Sequence, residues 1–249
     1  MIGFDRLARP YRWMEYLSFG RALERCRFHF LPQLADTRQA LLLGDGDGRF
    51  AEQLLRAMLA CDASETSQLT NAAGAFPGGA SSASETWRSK ARRVAAVDGS
   101  EAMLALLRSR CAFAGNMLIT HLADLSRGMP ADLHQDRIDL VTTHFFLDCL
   151  SNREVERLVA EVRPRMTDDA RWIVSEFAVP ARGVMRLPAW LVVRGLYVSF
   201  RVLTGLRAQR LPDYRPIMQA QGLVLQQQST MLGGLLRAEL WCCDVGPNR

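Results

Sequence analysis

Three glycines at alternating positions, Gly44, Gly46 and Gly48, interleaved with Asp45 and Asp47, are the densest chemical signal in the sequence. Glycine tolerates positive φ and lets a backbone come close to a ligand, so the run reads as a ligand cradle. A dinucleotide fingerprint, G-x-G-x-x-G, places its third glycine one position later, where Arg49 stands here. Two aspartates beside a pyrophosphate would repel it, whereas a ligand with a sulfonium and an ammonium group would be attracted. The turn therefore selects a cationic, phosphate-free nucleotide. Further along, Asp98 offers a carboxylate that can accept two hydrogen bonds from ribose hydroxyls, or can cap the helix that follows. His144 carries an imidazole suited to general base chemistry near neutral pH, with Asp148 close behind in sequence; a histidine lining a pocket is the alternative.

The elements around these residues place them on one edge of a sheet. The apolar run Ala40 to Leu43 has the continuous pattern of a strand covered on both faces, and Phe50, Leu54 and Leu55 follow with helical spacing to about Leu59. A second strand, Val94 to Val97, ends at Asp98 and Gly99; the helix Ser100 to Cys111 then carries Met103, which packs either on a base or in the core. Met117 to Leu122 makes a third strand with Asp124 in its loop. Ile138 to Thr143 makes a fourth, with Thr143, His144, Phe145 and Phe146 at its carboxyl end. A helix from Arg153 to Arg163 stops at Pro164, and a fifth strand, Arg171 to Phe177, carries Glu176, read as an ordinary strand-end charge. Leu223 to Gln228 and Leu235 to Cys242 flank Gly233 and Gly234 as an antiparallel hairpin at a sheet edge. Open α/β sheets bind ligands beyond the carboxyl ends of their strands, where these candidates collect.

In order, GDGDG, VAAVDGS at Val94 to Ser100, LADL at Leu122 to Leu125 and IDLVTTHFFLD at Ile138 to Asp148 resemble the successive motifs of class I S-adenosylmethionine-dependent methyltransferases. The resemblance covers most of the chain. FDRLARPYRWMEYLSFGRAL near the start is similar to the entry segment of the ubiquinone/menaquinone-type C-methyltransferases. One position departs: the acidic residue often found two places before the first glycine is Leu42. The resemblance implies an α/β, Rossmann-like sheet of seven strands with an antiparallel last strand and helices on both faces. It also implies an N-terminal helical lid and a helical insertion before the last two strands. The cofactor would be S-adenosylmethionine, held by Gly44, Asp45, Gly46, Gly48, Asp98, Gly99, Met103, Asp124, Leu125 and Thr143. Asp124 would accept a hydrogen bond from the adenine amino group, Leu125 would present its amide and apolar side chain to the ring, and His144 and Asp148 would face a small apolar or aromatic acceptor. Leu42 keeps open a protein that holds the cofactor without turnover. An NAD-dependent oxidoreductase is disfavoured by the glycine spacing and by the lack of a Tyr-x-x-x-Lys pair, since Lys90 is the sole lysine.

A chain of 249 residues is long enough for one well-buried core, and a single domain is expected. Residues 1–34 form an N-terminal helical segment in which Tyr16, Phe19, Leu23, Cys26 and Phe30 line one face, either covering the core or forming the lid. Residues 64–86, rich in Ala, Ser, Thr and Gly, read as a flexible insertion, which accounts for the distance from Gly48 to Asp98. Residues 185–210 form a substrate-cover helix; Pro188 to Gly205 is apolar, but Arg194 and Arg201 interrupt it, so no membrane span is expected. Its Trp190, Tyr197 and Phe200 would line an apolar pocket or pack on the sheet. The net charge of +5 comes from arginines spread in ones and twos, a solvated surface more than a nucleic-acid interface. Six cysteines without C-x-x-C spacing point to reduced thiols and no metal site. The opening residues lack a signal peptide's apolar run, and a cytoplasmic protein with a small-molecule substrate is the expectation.

Overall fold

In the computed structural model, which describes residues 21–73, 92–133, 137–180, 186–192, 194–195 and 211–244, seven strands form one sheet. They are β1 (Gln39–Leu43), β2 (Arg93–Asp98), β3 (Leu118–Leu122), β4 (Ile138–His144), β5 (Met166–Phe177), β6 (Leu223–Met231) and β7 (Leu236–Cys243). Their order is β3-β2-β1-β4-β5-β7-β6. The first five run parallel, and β7 is antiparallel to both β5 and β6. The chain moves outward from β1 to β3 on one side and then returns to β4 on the other. The switch point of the topology therefore lies between β1 and β4.

The apolar run in β1 serves two cores because side chains alternate across a strand. Leu41 and Leu43 join the core under α4 (Asn152–Val162) and α5 (Tyr214–Ala220), with Val155, Leu158, Val159 and Met218. Ala40 and Leu42 join the core under α1 (Ala22–Arg27), α2 (Arg49–Ala73) and α3 (Glu101–Arg110), with Leu23, Phe50, Leu54 and Leu107. Trp172 on β5 sits in register with Trp241 on β7, and both are fully buried. Each indole N–H is satisfied, Trp172 Nε1 donating to Thr143 Oγ1 at 3.2 Å and Trp241 Nε1 to Glu239 Oε2 at 2.9 Å.

Several boundaries differ from the sequence expectation. α2 does not stop near Leu59 but continues to Ala73, through the first ten residues of the expected insertion. Extending a formed helix costs less than nucleating one, so Ala, Ser, Gln and Thr suffice without an apolar face. Residues 74–86 lie outside the described residues. β5 begins at Met166 instead of Arg171, across a register shift opposite Ile138 and Leu140; its polar start, Thr167 to Asp169, reaches solvent and so carries no apolar signal. In the hairpin, β7 is the inner strand and polar β6 forms the edge. Leu23, Cys26 and Phe30 are buried in one core as their spacing predicts, while Tyr16 and Phe19 of the same stripe lie outside the described residues. Residues 186–192 are helical within the expected 185–210 cover, and Tyr197 and Phe200 lie outside the described residues. Among the described residues no helix is long and apolar enough to cross a membrane.

Both ends of α3 fall where the sequence puts them, with Ser100 as the cap. α4 opens with a capping box, in which Ser151 accepts from Glu154 N while the Glu154 carboxylate accepts from Ser151 N at 2.7 Å. Replacing Ser151 with Ala should lower the free energy of unfolding by about 1 kcal/mol in chemical denaturation. An unchanged midpoint would show that the box contributes nothing.

Candidate functional site

All three cradle glycines have positive φ, but they do different work. A Cβ on Gly44 would lie 2.3 Å from Phe146, and one on Gly48 would lie 2.9 Å from the backbone Cα of Leu107. These two let the turn pack against its own protein. Gly46 faces open space, with nothing within 4 Å of a Cβ position. Its N–H donates to Asp98 Oδ2 at 3.2 Å, and the other oxygen of Asp98 accepts from Ser100 N at 2.9 Å. Cap of α3 is therefore not the role of Asp98: Ser100 Oγ accepts from Met103 N at 3.3 Å. The Asp98 carboxylate instead joins the glycine turn at the end of β1 to the end of β2, with Gly99 between it and the helix.

The two aspartates of the turn do not both add free negative charge, as the sequence suggests. Asp47 is neutralised by Arg49 at 3.0 Å and Arg110 at 3.2 Å. Asp45 is buried, with Oδ2 accepting from Ala51 N at 3.0 Å and Oδ1 lacking a hydrogen-bond partner. Burial pushes its pKa up to about 7, against the opposing pull of the Arg27 guanidinium. Leu42, at the departing position, is fully buried in the core under α2.

Other expected contacts are engaged within the protein. Asp124 caps the turn Leu125–Arg127, accepting from Ser126 N at 3.2 Å and Ser126 Oγ at 2.7 Å. Leu125 does not offer its side chain to a ring at the edge; it is buried in the core under α4. Thr143 is fully buried and committed to Trp172. Met103 is buried on α3. His144 lies 3% exposed under α2, its ring 4.3 Å from that of Phe50, away from the open edge. Its Nδ1 pairs with Ser175 Oγ at 2.9 Å, while that hydroxyl donates to the Cys26 carbonyl at 3.3 Å. Because the hydroxyl proton is used there, Nδ1 is the donor and Nε2, which has no partner, keeps the lone pair. Burial, reinforced by Arg27, holds the imidazole well below its ordinary pKa, so it is neutral at pH 7 and does not titrate there as expected.

A carboxyl pair occupies the edge instead. After β4, Phe145 takes φ 53° and the chain turns through Leu147–Cys149. Phe146 N and Leu147 N donate to Glu176 Oε1 at 3.0 and 2.7 Å, and Cys149 Sγ donates to Asp148 Oδ1 at 3.4 Å. Burial pushes Asp148 up to about 6. Burial and the neighbouring Asp148 charge push Glu176 well above the usual carboxyl range. Glu176, only 2% exposed, is thus no ordinary strand-end charge. Its signal in the sequence is its place: the carboxyl end of the strand beside β4, inside an otherwise apolar run.

No family model matches the sequence, and no curated protein is found similar to it. Solved structures are similar in fold. The mitomycin 7-O-methyltransferase MmcR shares 15% identity at a TM-score of 0.57, over 90% of this chain and 54% of its own. The S-adenosylmethionine-dependent methyltransferase SibL shares 17% at 0.59, over 94% of this chain and 57% of its own. A TehB-like SAM-dependent methyltransferase from Corynebacterium glutamicum shares 13% at 0.54, over 95% of this chain and 98% of its own. The fold is that of the S-adenosylmethionine-dependent methyltransferases. The chain spans little more than half the length of MmcR and SibL, and nearly the whole of the TehB-like protein.

The raised pKa of Asp45 has a signed consequence for stability. Unfolded, the carboxyl ionises near 3.8; folded, at about 7. Between these values the folded state holds a proton that the unfolded state has released, so the contribution of Asp45, full below pH 3.8, is lost as pH rises to 7. Neutral His144 acts in the opposite sense below pH 6.5. Asp45→Asn should therefore flatten the decline in melting temperature from pH 5 to pH 8, and a slope identical to the parent's would contradict the burial of a protonated carboxyl.

Proposed function

We propose that the protein transfers a methyl group from S-adenosylmethionine to a small apolar or aromatic acceptor that loses a proton as it is methylated. The observation that carries this reading is the junction of Gly46 N–H and Asp98 at the carboxyl ends of β1 and β2, with open space on the free side of Gly46. An acidic group at the end of β2 suits ribose hydroxyls and repels a 2′-phosphate. The described groups at the edge, carboxyls and backbone amides, suit a sulfonium ligand better than a pyrophosphate. When bound, the cofactor supplies an electrophilic methyl group. Gly46 and Asp98 would hold its ribose end, and Asp124 and Leu125, through carboxylate and backbone amide, its base.

The residues of the chain then have two tasks. Alignment is the larger, since fixing two reactants in line removes much of the barrier without a covalent intermediate. The second is proton removal. Burial raises both carboxyls, Asp148 to about 6 and Glu176 well above the usual carboxyl range with the Asp148 charge adding to the rise, so the two resist ionising together. Asp148 takes the acceptor proton, and Glu176 positions the turn that carries it. The motif similarity near the start supports a cytoplasmic small-molecule enzyme, and between the carbon acceptor of the ubiquinone/menaquinone type and an oxygen acceptor, the O-methyltransferase named among the similar folds favours oxygen.

Asp98→Ala should weaken S-adenosylmethionine binding by roughly 1.5 to 3 kcal/mol, the scale of hydrogen bonds to a charged group, with the melting transition intact. Asp148→Asn should leave that affinity unchanged and lower kcat by about 10²-fold on a hydroxyl acceptor. Unchanged affinity in the first variant removes the ribose assignment, and unchanged kcat in the second removes the base. Tight cofactor binding with no transfer to any acceptor would favour a binding protein, the alternative that Leu42 keeps open.

A further inference from the structure

The helix at residues 186–192 is held to the body through Ala189, buried against Leu235 with Phe177, Val179 and Leu211 packed around them. Its other side is apolar and, among the described residues, exposed. Leu187 is 65% exposed, Trp190 46% and Leu191 57%, and their spacing of three and four puts them on one face. Exposed apolar side chains are ordinary when scattered, but a stripe of them along one helix is an interaction surface. Arg186 begins the helix, and the Arg194 guanidinium lies 5.6 Å from the centre of the Trp190 ring.

Charge identifies the occupant. Of the 31 basic and 26 acidic residues in the sequence, six arginines and no acidic residue fall between Ala178 and Pro212, leaving 25 basic against 26 acidic elsewhere. The net positive charge of the chain is therefore concentrated in the stretch that carries the apolar stripe. A second copy docking through the same face would bring Arg186 and Arg194 against their own kind, which disfavours a symmetric dimer. An anionic bilayer surface satisfies both features: leucine and tryptophan enter the acyl boundary while arginines stay among phosphates. We propose that this helix docks the protein on an anionic lipid surface, lying in the interface rather than crossing it. The docking surface is separate from the methyl-transfer reading and is tested without cofactor.

The test is co-sedimentation of the full chain with phosphatidylcholine vesicles and with phosphatidylcholine–phosphatidylserine vesicles. Binding is expected only to the second and should fade as salt rises from ~0.1 to ~0.5 M. Leu187→Glu with Leu191→Glu should reduce the partition coefficient at least about tenfold by placing charge in the acyl boundary. Arg186→Gln with Arg194→Gln should reduce it roughly tenfold through the loss of two cationic contacts. All four positions are exposed, so the variants should melt as the parent does. Absence of binding to anionic vesicles, or equal binding by the glutamate variant, overturns the proposal. Concentration-dependent self-association abolished by the glutamate variant, without vesicle binding, overturns it in favour of a second copy.

Discussion

Burial of β1 and β4 on both faces is the constraint on which the rest of the structure depends. Their middles, Leu41, Leu42 and Val141 among them, are fully buried and leave no place for a charged side chain. Charge is displaced to the strand ends. At the amino end, Asp139 accepts from Arg38 N at 2.7 Å and Gln39 N at 2.9 Å, tying β4 to β1. At the carboxyl end, Asp45, Asp98, Asp148 and Glu176 collect on four neighbouring strands, and each accepts at least one hydrogen bond. A sheet wound in this order forms its ligand crevice there, because the connections part on either side of the switch point.

Three of those carboxyls, Asp45, Asp148 and Glu176, are held in an environment that resists their ionisation. A buried carboxylate is stabilised by backbone N–H groups and destabilised by desolvation and by like charges, and desolvation is the larger influence on Asp45, Asp148 and Glu176. Backbone donors offset part of this cost, as Phe146 N and Leu147 N do for Glu176. A cationic ligand would offset more. The same edge is thus poised to gain from a positive charge, which the proposed cofactor would bring.

Much of this fold was legible in the sequence, because strands buried on both faces and capped helices leave strong local patterns. The run Ala40 to Leu43 and the cap Ser100 fall where expected. Local pattern fails where solvent or tertiary contact decides: α2 continues through weakly apolar residues, and the polar start of β5 extends past its apolar core. For the candidate site, the glycine turn and the place of Asp98 at the end of β2 were legible, the latter once residues 64–86 are set aside as an insertion. The directions of side chains were not. Alternation sends Thr143 to one core and His144 to the other, and neither fact is visible without the register of β4 against β5. A charged residue near a strand end is usually solvated, whereas here the β4 turn folds its amides onto Glu176.

The central claim is that the acidic carboxyl edge selects a cationic, phosphate-free nucleotide. Calorimetric titration of the full chain with S-adenosylmethionine and, separately, with NAD tests it most directly. The account predicts one equivalent of S-adenosylmethionine bound and no heat of binding for NAD. Saturable binding of NAD, with none of S-adenosylmethionine, would contradict it.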